Sequence, residues 1–443
     1  KLLASIEKSV DMVFVACLAC LVATLAAGKI VNVETDLGVK PSDDVLDSCI
    51  KNAQSLQKGL ASLQPGDTLV VPNKTYHFLG NITAENLHSV TIQIDGTLDF
   101  VPLMKHWPRS SNGRALDCIH MRNLTNVTFT SSGKGTLNGN GKTWWEFPYI
   151  GYLELQENRP KLFSIADSKS LLVENMLFLN SPYWNFWVTN VDGLEVRRSD
   201  ISARRTRKDG HGLIDRSAFN TDGFDVTGKN VWIHDCNVWN QDDCIAVKDG
   251  SENMLFERIN ASGIGLTIGS IGGSIVRNIT FRDCYMHKTW KGIYMKFRED
   301  GGHIEDVLYE RIVMDEPSQF PIWIGPAQQS DSSDLCAAHP CSLCWPTVPL
   351  TKCNAPEKGI FRNITLKDIT INKPKMSPGV LIASKQNPMT NVVFDGVKVN
   401  DAPHHPWGKD YYHCENVIGK AIGGTNPVPP CMKESLHDEI VLV

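Results

Sequence analysis

The chain has 443 residues, with 44 basic against 49 acidic side chains and a formal charge of −5, so no long-range field selects a polyanion and nucleic acid is excluded as a partner. Any acidic ligand has to be held locally. The length is large for one compact core and ordinary for a single elongated repeat domain.

In chain order, the first feature is "VFVACLACLVATLAAG", an apolar run after Met12, preceded by Lys1 and Lys8 and ending in small residues. It fits a secretory leader with cleavage near Gly28. It is shorter than the roughly 20 residues that a spanning helix needs, so no membrane association is expected of the mature form. Residues 1–28 are therefore read as a signal region of an exported protein, with a buried N-terminal helix as the alternative. Of 13 cysteines, Cys17 and Cys20 lie in this run and leave an odd number, so outside the cell several should pair and at least one should stay free. Seven N-x-S/T sequons, at Asn73, Asn81, Asn123, Asn126, Asn260, Asn278 and Asn363, agree with export, although some will be structural asparagines.

The stretch before residue 85 contains a helix-like segment from about Ser42 to Leu63, followed by a Pro-Gly turn into a strand. It reads as an N-terminal cap. After residue 85 one theme recurs: a short alternating strand, a polar pair, then a second short strand. The instances are "LLVENMLF", "LEVRRSDI", "VWIHDCNV", "MLFERINA", "ITFRDCYM", "VLYERIVM", "ITLKDITI" and "VVFDGVKV". Their third residues are Val173, Val196, Ile233, Phe256, Phe281, Tyr309, Leu366 and Phe394, at steps of 23, 37, 23, 25, 28, 57 and 28. A period near 25 with insertions in turns, and no helical periodicity between copies, predicts an all-β solenoid, a right-handed parallel β-helix. The fixed spacing of leucine-rich repeats and the hairpin turns of a β-sandwich are both missing. Outward residues of successive coils would then stand about 4.8 Å apart, so residues one period apart in sequence become surface neighbours.

Residues 29–443 are accordingly read as one monomeric β-helix domain. A Cys-rich insertion around 325–357 accounts for the 57-residue step, and the Pro-rich tail after Ala402 reads as the opposite cap. Within the insertion, Cys336, Cys341, Cys344 and Cys353 contain one C-x-x-C, and a disulfide-pinned loop is favoured over zinc because the second C-x-x-C is missing. Trp323 and Trp345 read as packing residues first and as sugar platforms second.

The chemistry concentrates in "FNTDGFDVTGKNVWIHDCNVWNQDDCIAVKDG", residues 219 to 250. Asp222 precedes the Asp242 and Asp243 pair by about one coil, so the three should converge on one face. Like charges raise one another's pKa, which keeps one group protonated as an acid while another works as a base. Glycosidic cleavage needs such a pair. Asp225 and Asp235 read as turn caps. Clustered carboxylates also suit calcium, but the apolar flank "CIAV" favours pKa tuning, so no metal and no cofactor are expected.

"NTDGFD" followed by "QDDC", with "NSPYWNFWV" upstream at residues 180 to 188, resembles glycoside hydrolase family 28, the polygalacturonase family, over roughly residues 30 to 400. The resemblance implies an inverting glycosidase acting on α-glycosidic bonds of pectic polysaccharide. Asp242 would be the general acid, Asp222 and Asp243 would hold and activate the attacking water, and Asn220 and Gln241 would order the site. Inversion generally sets acid and base about 6.5 to 9.5 Å apart. Two positions depart from the family pattern. Ile264 stands where the histidine of a Gly-His-Gly is expected, and "GIYMKF" carries Tyr294 in place of the arginine of an Arg-x-Lys, of which Lys296 remains. Tyr cannot match the bidentate fork with which Arg holds a sugar carboxylate. Rhamnogalacturonan or xylogalacturonan hydrolysis is therefore an alternative, with Ile264 and Tyr294 as an apolar wall, or with Arg298 reaching in. A pectate-lyase-like elimination using calcium and a catalytically weak carbohydrate-binding relative are the other readings. The Gly-His-Gly at Gly210 to Gly212 lies upstream of the aspartates, in a basic loop with Arg204, Arg205, Arg207 and Lys208, and His211 is read as part of a solvated turn.

Overall fold

The computed structural model describes residues 28–41, 44–145, 155, 158–298, 301–327 and 355–433. The leader, Trp345 and the four cysteines of the insertion lie outside the described residues. The described strands form a parallel solenoid in which each coil pairs with the next. The repeat read from the sequence is the register of this stack. Val173 pairs with Val196, Val196 with Ile233, Ile233 with Phe256, Phe256 with Phe281, Phe281 with Tyr309, Tyr309 with Leu366 and Leu366 with Phe394. All eight are fully buried, so they form one continuous internal column.

The polar pair after each of these residues marks a corner. Its second member takes a left-handed backbone at Asn175, Arg198, Asp235, Arg258, Asp283, Arg311 and Asp368, with φ between 48° and 57°. Asn and Asp tolerate that conformation best, because their short polar side chains bond locally. The arginines are held by neighbouring coils: Arg258 Nε donates to Asp235 at 2.7 Å, and Arg311 Nε to Asp283 at 2.7 Å. A second row of corners carries Asn230, Asn253 and Asn278, also at positive φ; Asn253 and Asn278 each donate to the asparagine before them, and Asn230 donates to Asp192. These single-residue corners let one strand of 16 residues, Phe224–Trp239, turn from one face of the coil to the next without a loop.

The predicted cap is an α-helix at Leu46–Ser62, whose Cys49, Ala53, Leu56 and Leu60 are buried in the core. They recur at intervals of three and four residues, one face of a helix, and close the end of the apolar column. At the other end the tail departs from a simple cap. Tyr412–Glu415 and Val417–Ile422 pair with Gly379–Ile382 and Met389–Asp395, so residues after Ala402 add another coil. A disulfide, Cys414–Cys431, then ties this coil to the closing turn, while Cys49, Cys118, Cys236, Cys244 and Cys284 are free and buried.

Candidate active site

The three predicted aspartates converge. Each of Asp222, Asp242 and Asp243 offers a carboxylate oxygen within 4.8 Å of the others, and all three side chains are buried. Backbone stacking produces this: Gly223 N–H donates to Asp243 O at 2.8 Å, laying the "TDG" turn directly beside "DDC" of the next coil. Glycine is required at 223, where a Cβ would stand 2.2 Å from the Cys244 carbonyl oxygen.

Each carboxylate has different partners. Asp243 accepts from Thr267 Oγ1 at 2.7 Å and from Lys296 Nζ at 2.9 Å. Asp242 accepts from the Asp243 N–H at 2.9 Å and the Asn220 N–H at 3.3 Å. Asp222 Oδ1 is buried with no hydrogen-bond partner, and its Oδ2 lies 4.0 Å from Lys248 Nζ. Burial, then the charge of Asp242, pushes Asp222 well above the usual carboxylate range. Burial and the neighbouring Asp243 push Asp242 up to about 6. The two titrate as a coupled pair, and a proton placed on Asp242 removes the second cause acting on Asp222. Burial works against the charge of Lys296, but the adjoining Asp243, together with Tyr294 and Asp242, outweighs it and raises the ammonium above its ordinary value.

Asp225 is not the expected turn cap. It is fully buried on the outward side of the strand Phe224–Trp239, in the same row as Trp187 and Ala246, and pairs with Lys248 Nζ at 3.1 Å. The strand alternation of "IAVK" puts Ala246 and Lys248 outward together, so parity plus register could have located both groups. Asp235 sits at its corner as a turn residue, with φ 54°. His211 is not in a solvated turn. Its Nδ1 lies 3.0 Å from Gln241 Oε1, its Nε2 lies 3.1 Å from Ser262 Oγ, and its ring stacks on Trp239. Ser262 Oγ donates to the His287 carbonyl at 2.8 Å. The Nε2 of Gln241 is left buried without a protein partner. No sequence signal connects His211 with a site reached through a 37-residue step.

Asn220 contributes its backbone N–H to Asp242, while its Oδ1 accepts from Arg159 at 3.4 Å. Lys296, expected to touch substrate, is engaged with Asp243. Tyr294 is 4% exposed and packs edge-on against Trp323 in an apolar cluster with Phe320, Val380 and Ile382, onto which Ile264 also packs. The apolar wall therefore exists, but its tyrosine is too covered to stack flat on a sugar. Trp323 is fully buried and donates to Pro326 O. The Arg298 side chain is exposed and runs beside Gly272.

The family profile described as "Glycosyl hydrolases family 28" matches residues 64–423. Among curated proteins, the chain is 32% identical over 207 residues to a probable endopolygalacturonase C of Aspergillus aculeatus, covering 45% of this chain and 51% of that protein. It is 28% identical over 255 residues to a probable rhamnogalacturonase E of Aspergillus flavus, covering 56% and 50%. These alignments span about half the length of the relatives. Among solved structures, the polygalacturonase from Erwinia carotovora ssp. carotovora superposes with a TM-score of 0.63 at 20% identity, covering 89% of this chain and 96% of that one. An endo-xylogalacturonan hydrolase from Aspergillus tubingensis gives 0.54 at 20% identity, covering 88% and 95%. Both likenesses establish the parallel β-helix. Among the described residues, no helix is long and apolar enough to cross a membrane.

Proposed function

Because the chain belongs to glycosyl hydrolase family 28, we propose that it is a secreted glycosidase that hydrolyses α-glycosidic bonds of a pectic polysaccharide. The observation that carries this is the trio Asp222, Asp242 and Asp243, with oxygens within 4.8 Å and two lysines beside them. Asp242, pushed up to about 6, keeps its proton in mildly acidic solution and gives it to the leaving oxygen. Asp222 and Asp243, side by side on adjacent coils, orient a water toward the anomeric carbon. Thr267 and Lys296 fix Asp243, and Asn220 fixes Asp242.

Inversion is the stereochemistry proposed. The nearest oxygens are closer than the roughly 6.5 to 9.5 Å usual for inverting pairs. What supports inversion is the third carboxylate, which allows two groups to hold one water while a third acts as acid. Calcium-dependent elimination is disfavoured, because the ammonium groups of Lys248 and Lys296 already supply positive charge within the cluster. Proton NMR of the first product released from polygalacturonate tests both points. The expected product is a saturated reducing end of β configuration, formed equally with chelator present. An α first product would mean double displacement, and unsaturated ends lost in chelator would mean a lyase.

A second reading, hydrolysis of rhamnogalacturonan, is favoured by the tyrosine at 294 and by the likeness to a rhamnogalacturonase. Supplying both polymers separately distinguishes the two. A wall polymer as substrate agrees with the apolar leader as an export signal, and the chain is proposed to act as a monomer.

A further inference from the structure

One cation in the groove has no role in the chemistry above. The side chain of Lys291 is 3% exposed, and its Nζ donates to the neutral Gln319 Oε1 at 2.9 Å. Lys248 and Lys296 each have a carboxylate partner, whereas among the described residues none pairs with Lys291. Its Nζ lies 4.6 Å from the ring centre of Tyr294 and 5.9 Å from that of Trp323. Burial, then the ammonium of Lys296, pushes its amine down to about 7, with Asp243 and Asp242 acting in the opposite sense.

Backbone bonds fix its place along the groove. Ile264 N–H donates to Asp242 O at 2.8 Å, and Lys291 N–H donates to Ile264 O at 2.8 Å. Lys291 thus stands two coils from Asp242 on the same turn, roughly 10 Å along the axis at the usual strand spacing. A polysaccharide with one linkage at the aspartates would lay its adjoining sugar over these coils. A buried ammonium without a counter-ion is costly, and an incoming carboxylate would relieve that cost. Lys296 cannot serve, being engaged by Asp243, and Tyr294 offers only a covered ring.

We propose that Lys291 receives the carboxylate of the sugar next to the scissile bond, and so selects a uronate over a neutral or esterified sugar at that position. This rests on the pectic glycosidase reading. It also gives the groove a cation for that carboxylate despite the tyrosine at 294.

The test compares polygalacturonate with the same polymer fully methyl-esterified, using wild type, Lys291→Met and Lys291→Arg. For Lys291→Met, KM on polygalacturonate should rise about tenfold or more, as expected for losing one charge-assisted hydrogen bond. Its kcat should be nearly unchanged, the esterified polymer should be unaffected, and Lys291→Arg should recover most of the loss. Thermal melting checks the fold, and Lys291→Gln, which keeps a donor for Gln319 without the charge, is the second variant if methionine is not tolerated. An unchanged KM on polygalacturonate, an equal loss on both polymers, or a wild type that prefers the esterified one would overturn the proposal. A wild type inactive on both polymers would instead remove the polygalacturonate reading, and this assignment with it, and leave hydrolysis of rhamnogalacturonan.

Discussion

At Asp242 the proposed role as acid and the stability of the fold oppose each other. Its carboxyl is raised from 3.8 to about 6 by burial and Asp243, so the folded state holds this proton more tightly than the unfolded chain. A raised carboxylate contributes stability below its unfolded pKa and loses that contribution as pH rises through its folded value, here between about 4 and 6. Asp242→Asn, neutral at every pH, should abolish reducing-end release. It should also stabilise the protein at pH 7 by on the order of 3 kcal/mol, from two pKa units at 1.36 kcal/mol each, and by little at pH 4. Denaturant unfolding of both proteins at the two pH values checks the sign; an equal effect at both would rule this explanation out. His211 Nδ1 lies 3.0 Å from Gln241 Oε1, and its proposed part is to position Gln241. His211→Ala should lower kcat by about tenfold, because a mispositioned site group costs up to about a hundredfold, while melting stays close to wild type. His211→Asn, which retains a donor, should recover part of the rate, and failure of that recovery would mark a packing role. The aspartates were legible because motif and period agreed. His211 was not, because it lies in a loop that the strand period does not describe; Lys291 sits on the stacked turn row, but the period does not show which carboxylates its side chain meets.

The repeating element is a strand bent at single residues. The polar pairs of the sequence turned out to be corners, because the second member takes a left-handed backbone, and from Asn175 to Arg311 its side chain also bonds to a neighbouring coil. Asn253 combines both demands: φ is 56°, Nδ2 donates to Asn230, and Oδ1 accepts from Asn278 at 2.7 Å. Asn253→Ala should cost about 1 to 2 kcal/mol, the price of an alanine at positive φ together with the lost bonds. Asn253→Gly, which takes that backbone freely, should cost less. Chemical denaturation ranks the two, and an equal loss would mean that backbone strain contributes nothing. Five of the sequon asparagines belong to the same kind of ladder. Asn123, Asn126, Asn260, Asn278 and Asn363 already use their Nδ2 atoms between coils.

At the scale of the whole molecule, coil stacking turns sequence distance into rows of neighbouring side chains. Asp225, Thr267 and Tyr294 lie in one outward row, beside the turn row that carries Asp222, Asp243 and Lys291. The sequence by itself determined the β-helix, its register from Val173 to Phe394, the capping helix and the meeting of three aspartates. Those features depend on local alternation and a period near 25, which any reader of the chain can count. Only the tertiary structure decided which cations serve which carboxylates: Lys248 with Asp225, Lys296 with Asp243, and Lys291 with none among the described residues. Such pairings depend on side-chain directions across two or three coils and on loops of unequal length. A period fixes where backbones stack, but not how far a lysine reaches.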